Sequence, residues 1–194
     1  MYQSLLQWLK PVAPTEIRFN IKDDQAAEAF ASSFSGLLYS LRSYPVQPVV
    51  ILCIGTDRST GDALGPLIGT RLSEFGFNDA IIYGTLDEPV HATNLTTFIE
   101  LIKLRHPDAL VVAIDACLGR VDSVGHVTLA KGSVKPGAGV NKSLPEVGDI
   151  AITGIVNIGG FMEHFVLQNT RLSLVMNMAN VIATGITKGF SERI

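Results

Sequence analysis

Asp57, Asp62, Asp87, Glu88, His91 and Asp115 are the side chains of this sequence best placed to do chemistry. They fall in three short polar segments, residues 55–65, 85–91 and 115–119, each following an apolar run. Carboxyl groups that converge from separate segments can divide acid and base work. Two close ones do not both ionise cheaply, so one holds a proton while the other takes a proton from water. Asp115 is the sharpest of the set, because it closes the apolar run Val111-Val112-Ala113-Ile114. A carboxylate placed there needs a partner, either loop amides or a functional group. Asp62 reads equally as a functional carboxylate or as an acidic residue favouring the dipole of the helix that Gly65-Pro66 announces. Asp57, inside Thr-Asp-Arg-Ser-Thr-Gly, reads as a turn residue. His91 is a ligand, a base or a cap of the helix that starts near Leu95. His106, His126 and His164 read as structural, and Cys117 as a small buried thiol, since no cysteine–histidine signature accompanies it.

The elements that must position these groups follow from periodicity. Strands are predicted at residues 16–21, 49–54, 80–83, 109–114, 124–130 and 149–156, and three of them are apolar enough to be covered on both faces. Helical stripes run through Phe30, Phe34, Leu37, Leu38 and Leu41, through Leu64, Leu67, Ile68, Leu72 and Phe75, and through Leu95, Phe98, Ile99 and Ile102. Further helices are predicted over 159–168 and 172–189. The alternation predicts an α/β protein, a three-layer α/β/α sandwich with a mixed, mostly parallel sheet. The strand at 124–130 follows its predecessor too closely for a crossover helix and should be antiparallel. The parallel units gather the three polar segments at one carboxyl edge of the sheet, where α/β proteins bind ligands. Residues 131–148 form a long glycine-rich loop. Gly132, Gly137 and Gly139 as hinges and Pro136 and Pro145 as stiffeners predict a mobile segment that closes over that edge.

The chain has 194 residues, 47% of them hydrophobic, which is enough for a single domain over 1–194, with residues 1–45 as an N-terminal strand-helix extension. Its formal charge of -3 and 7% aromatic content leave no basic, stacking surface for nucleic acid. Two cysteines exclude a disulfide scaffold and favour a cytoplasmic location. The N-terminus lacks the features of a secretory signal, and no apolar stretch reaches membrane-spanning length. Neither phosphate-binding glycine motif is present in the turn after residue 54, and two aspartates beside a phosphate would repel it.

Three motifs carry a resemblance: Asp-Ala-Leu-Gly-Pro-Leu at 62–67, Ala-Ile-Asp-Ala at 113–116 and Lys-Pro-Gly-Ala-Gly-Val-Asn-Lys at 135–142. On these the chain resembles the YyaC family of sporulation proteins, which is related to the spore germination protease and, more distantly, to the hydrogenase maturation proteases. The resemblance implies a phosphorylase/hydrolase-like sandwich, a catalytic pair Asp62 and Asp115, and a protein or peptide substrate, with spore proteins the expected partners in a spore or forespore compartment. Lys135, Glu88 and His91 are the expected substrate-binding residues. Maturation proteases bind a metal through an acidic residue, an aspartate and a histidine. The residue aligned with the germination protease histidine is Lys135, a poor ligand while protonated, so no cofactor is expected. An ammonium there, if close, would lower the pKa of the pair. Two other readings stay open: a binding protein that keeps the fold without turnover, and a metal-dependent hydrolase using Asp62, Asp115 and either Glu88 or His91.

Overall fold

The computed structural model describes residues 16–137 and 144–192. The N-terminal stretch and Gly139 lie outside them. Six strands, β1 (Glu16–Asn20), β2 (Val49–Cys53), β3 (Ile81–Tyr83), β4 (Leu110–Gly119), β5 (His126–Lys131) and β6 (Ile150–Ile158), form one sheet in the order β1-β5-β6-β4-β2-β3. The four strands from β6 to β3 are parallel, while β5 runs antiparallel to both β6 and β1. The short connection between β4 and β5 forces that reversal, as the sequence predicts.

Alternation along β2 shows why the sheet needs two helical layers. Val49, Ile51 and Cys53 face a core shared with α1 (Ala26–Leu41), α2 (Leu64–Glu74) and α5 (Leu172–Ser191). Val50 and Leu52 face a second core with α3 (Leu95–Arg105), Val134 and Val147. The result is a three-layer α/β/α sandwich. Residues 16–41, read from sequence as an extension, supply its edge strand and a helix. Phe19, Phe30 and Phe34 of that segment join Phe77 and Phe190 in a chain of ring contacts against α5. No helix among the described residues is long and apolar enough to cross a membrane.

Two elements depart most from their predicted bounds. β4 does not stop at residue 114 but continues through Asp115 to Gly119, because β6 continues beside it and pairs Asp115 with Thr153 and Gly119 with Ile158. Backbone pairing outweighs the polar residue. The helix predicted over 159–168 is only α4 (Glu163–Gln168). Gly160 and Met162 both have positive φ, 141° and 55°, which breaks the helical path before Glu163. The base of the 131–148 loop is tied rather than loose: Val134 pairs with Val147, and Ser133 donates to Glu146 at 2.8 Å.

The carboxyl end of β2 lies against the start of α2. Gly55 has φ 151°, and a Cβ there would stand 2.0 Å from the Asp62 carbonyl oxygen. A Cβ on Gly65 would stand 2.1 Å from the Ile54 carbonyl oxygen, a clash with backbone that no rotamer relieves. Gly65→Ala should therefore destabilise the protein by at least about 2 kcal/mol, a fall in Tm of roughly 4–8 °C. Thermal unfolding checks it, and an unchanged Tm would mean that α2 is not seated this tightly.

Candidate active site

The end of β2 is laced to both neighbouring segments. The Ile54 N–H donates to the Ile114 carbonyl at 2.7 Å, the Gly55 N–H to Val90 at 2.8 Å, and the Thr56 N–H to Asp62 at 3.1 Å. These bonds bring the 55–65 turn, the segment ending at His91 and β4 together at one sheet edge. Asp62 sits in a single 3-10 turn, Gly61–Ala63, that leads directly into α2, and Ala63 holds the cap position. Asp62 thus stands just before the N-terminus of α2, where its charge also favours the helix dipole.

Two adjoining cavities open at this edge, and Asp62, Asp115 and Gly137 line both. The smaller, about 100 Å³, runs along β4 past Cys117 and is closed by Val134, Thr153 and Leu167. The larger, about 340 Å³, is bounded by the 54–62 turn, His91, His164 and Gln168. Asp115 is half-buried as a residue and lines both cavities, and its Oδ1 accepts the Ala116 N–H at 2.9 Å. Burial pushes its pKa up to about 8; the Ala116 bond opposes this, and the negative charge of Asp62 adds to it. At neutral pH Asp115 is thus chiefly a carboxylic acid beside a second carboxyl group.

His91 lines the larger cavity, with its Nδ1 2.9 Å from the Thr93 hydroxyl. The cap of α3 is Asn94, whose Oδ1 instead accepts the His91 N–H at 2.8 Å. Asp57, Asp87 and Glu88 are exposed and line neither cavity. Lys135 borders the smaller cavity, but its ammonium pairs with Glu146 at 3.0 Å and is largely exposed. That pairing holds Glu146 below the usual carboxylate range. The lowering of the acidic pair expected from Lys135 is not seen at Asp115, whose shift runs the other way with no part from Lys135. The Cys117 thiol is pushed up to about 12, chiefly by burial and then by the Asp115 charge, which leaves it unreactive. His106 meets the Tyr83 hydroxyl at 3.1 Å and His126 the Ser123 carbonyl at 3.1 Å, both away from the cavities.

Sequence reasoning missed His164, Gln168 and Ser59. The first two lie on α4, whose position over the cavity depends on packing rather than on any motif. The Ser59 Oγ is buried with no hydrogen-bond partner among the described residues, at the wall of the larger cavity, so a bound ligand could satisfy it. Among the described residues no three His, Cys, Asp or Glu side chains stand together as a ligand set, and Lys135 is bound to Glu146.

The fold is an α/β fold similar to that of a hydrogenase maturation protease. The chain is similar to the NiFe hydrogenase maturation protease HycI from Thermococcus kodakarensis KOD1, with a TM-score of 0.50 and 18% identity over 80% of this chain and 99% of that one. The Hydrogenase 3 Maturation protease matches 72% of this chain and 89% of its own, with a TM-score of 0.41 and 12% identity. The chain belongs to the family described as protein of unknown function DUF1256, whose model matches residues 18–185. The uncharacterized protein YyaC of Bacillus subtilis (strain 168) is 58% identical over 148 residues, which cover 76% of this chain and 72% of that protein.

Carboxyl titration by NMR should place the Asp115 midpoint near 8 and lower it in Asp62→Asn, where the neighbouring charge is gone. A midpoint in the ordinary carboxylate range would refute the buried acid. Linkage gives a second readout. Between the unfolded value of 3.8 and about 8 the folded protein holds a proton that the unfolded chain lacks. Stability relative to Asp115→Asn should therefore fall as pH rises through that window, by at most about 1.4 kcal/mol per pH unit, and level off above it. Lys135→Ala should raise the Glu146 pKa and leave the Asp115 midpoint where it is.

Proposed function

We propose that the protein is a sporulation-associated, peptidase-like hydrolase that cleaves a protein substrate with Asp62 and Asp115. The observation that carries this reading is the half-buried Asp115, held as an acid at neutral pH beside Asp62 in a double cavity at the sheet edge. Asp62, as carboxylate, takes a proton from a water that attacks the peptide carbonyl carbon. Asp115 gives its proton to the carbonyl oxygen as the tetrahedral intermediate forms. Collapse of that intermediate breaks the C–N bond, and a proton passes to the departing amine. The two carboxyl groups exchange roles and return to their starting states as the products leave. The Ser59 hydroxyl and His91 supply hydrogen bonds to the substrate backbone in the larger cavity.

The substrate class rests on the resemblance of the motifs at 62–67, 113–116 and 135–142 to the spore germination protease, and the hydrolytic class is supported by the protease-like fold. Glu88 and Lys135 contact the substrate only at the margin of the cleft, in keeping with the exposure of one and the Glu146 pairing of the other.

Incubation with protein extracted from dormant spores, followed by mass spectrometry of new N-termini, tests the reading. Wild-type protein should generate termini that Asp62→Asn and Asp115→Asn fail to produce. On a peptide built around such a terminus each variant should lose about 10²–10⁴-fold in rate. Wild-type kcat/KM should decline as pH rises past about 8, as Asp115 gives up its proton. No new termini, or the same termini from all three proteins, overturns hydrolysis. Binding of a spore protein without cleavage would identify instead a binding protein that keeps the fold.

A further inference from the structure

α4 has two faces with different duties. His164, Leu167 and Gln168 turn toward the cavities of the carboxyl pair. Phe165, at 56% exposure, joins Phe161 at 86%, Met162 at 61% and Ile158 at 45% in an apolar surface on the other side. Ile158, Phe161, Phe165 and Val166 line a shallow depression of about 370 Å³ there. Large apolar side chains this exposed and this close together mark an interaction surface rather than scatter.

The surface is held in place. The Asn157 side-chain amide donates to the Val166 carbonyl at 3.3 Å and the Thr170 hydroxyl at 3.2 Å, fastening α4 to the end of β6. Met162 is the only non-glycine residue with positive φ among the described residues, and this conformation sets the chain direction from which Phe161 and Met162 project. Strain of this kind persists where surrounding structure over-determines it, commonly at binding surfaces.

We propose that this apolar surface is a docking site for an extended, apolar segment of the same polypeptide whose neighbouring residues occupy the cleft. The inference rests on the hydrolase reading for its occupant. Continuity carries it: a chain leaving the larger cavity past His164 crosses a six-residue helix and meets Phe165 on its far side. The charge pattern argues against a lipid surface. Between residues 157 and 172 the only charged side chains are Glu163 and Arg171, without the basic flank that holds an interfacial segment to anionic lipid.

The test is a selection of random dodecapeptides displayed on phage against the full chain carrying Asp115→Asn, followed by titration of the selected peptides on further variants. Selected peptides should carry two or more bulky apolar residues. Their affinity should fall at least tenfold when Phe161→Ser and Phe165→Ser are added, and should hold when Tyr44→Ser, an exposed apolar residue on another part of the surface, is added instead. Circular dichroism and Tm verify that each protein is folded. No binders, or binders indifferent to Phe161 and Phe165, overturn the proposal. So does a wild-type dimer by sedimentation that becomes monomeric in the double variant, since that gives the face to a second copy. Loss of the Phe161 and Phe165 dependence with cleavage intact fails the docking site alone, whereas retained dependence with no cleavage by the wild type fails the hydrolase reading alone.

Discussion

The closeness of two backbones governs this site. α2 begins in contact with the carbonyl that ends β2, and the approach is possible only because Gly55 and Gly65 carry no side chain. The turn between them cannot swing outward, so Asp62 is delivered to a place set by the sheet itself. Asp115 is set by the sheet even more directly, as a residue within β4. Each carboxyl is therefore positioned by main-chain pairing and close packing, which move little, rather than by a flexible loop. That rigidity is what lets a neighbouring charge and the loss of solvent act on Asp115 continuously.

The same arrangement explains why the electrostatics divide as they do. Asp115 lies where the sheet and the surrounding walls exclude most water, and its neutral form is favoured. Lys135 stands at the rim, where an acidic partner within its own loop satisfies it. Glu146 takes the ammonium because the pairing of Val134 with Val147 brings the two legs of the loop face to face. A cation that the motif resemblance would place beside the acidic pair is thereby held at the edge, and the acid in the centre keeps its proton.

Likeness to a hydrogenase maturation protease extends to the architecture, at an identity where only the fold is informative. At the sheet edge of this chain Lys135 is engaged by Glu146, and no trio of His, Cys, Asp or Glu side chains stands together among the described residues. A likeness of fold does not by itself carry a function; the groups at the edge of the sheet do.

Much of the fold is legible in the order of residues along the chain. All six strands and four of the five helices follow from local periodicity, because a strand buried on both faces or an amphipathic helix writes its pattern into adjacent residues. The reversed direction of β5 follows from connection length, and Asp115 stands out because a charge interrupts an apolar run. The extent of β4 beyond Asp115 is not legible, since it depends on how far β6 continues beside it, a fact stored about forty residues away. Nor is the shortness of α4, which follows from a left-handed Met162 that no propensity favours. The site shows the same division. Residue types and their order along the chain settle that Asp62 and Asp115 share the carboxyl edge of the sheet. Only tertiary structure decides which groups surround them: His164 and Ser59 in the walls, Glu88 outside, and Lys135 turned to Glu146. Charge, burial and hydrogen bonding depend on distances between elements remote in sequence, and the local pattern along the chain does not encode those distances.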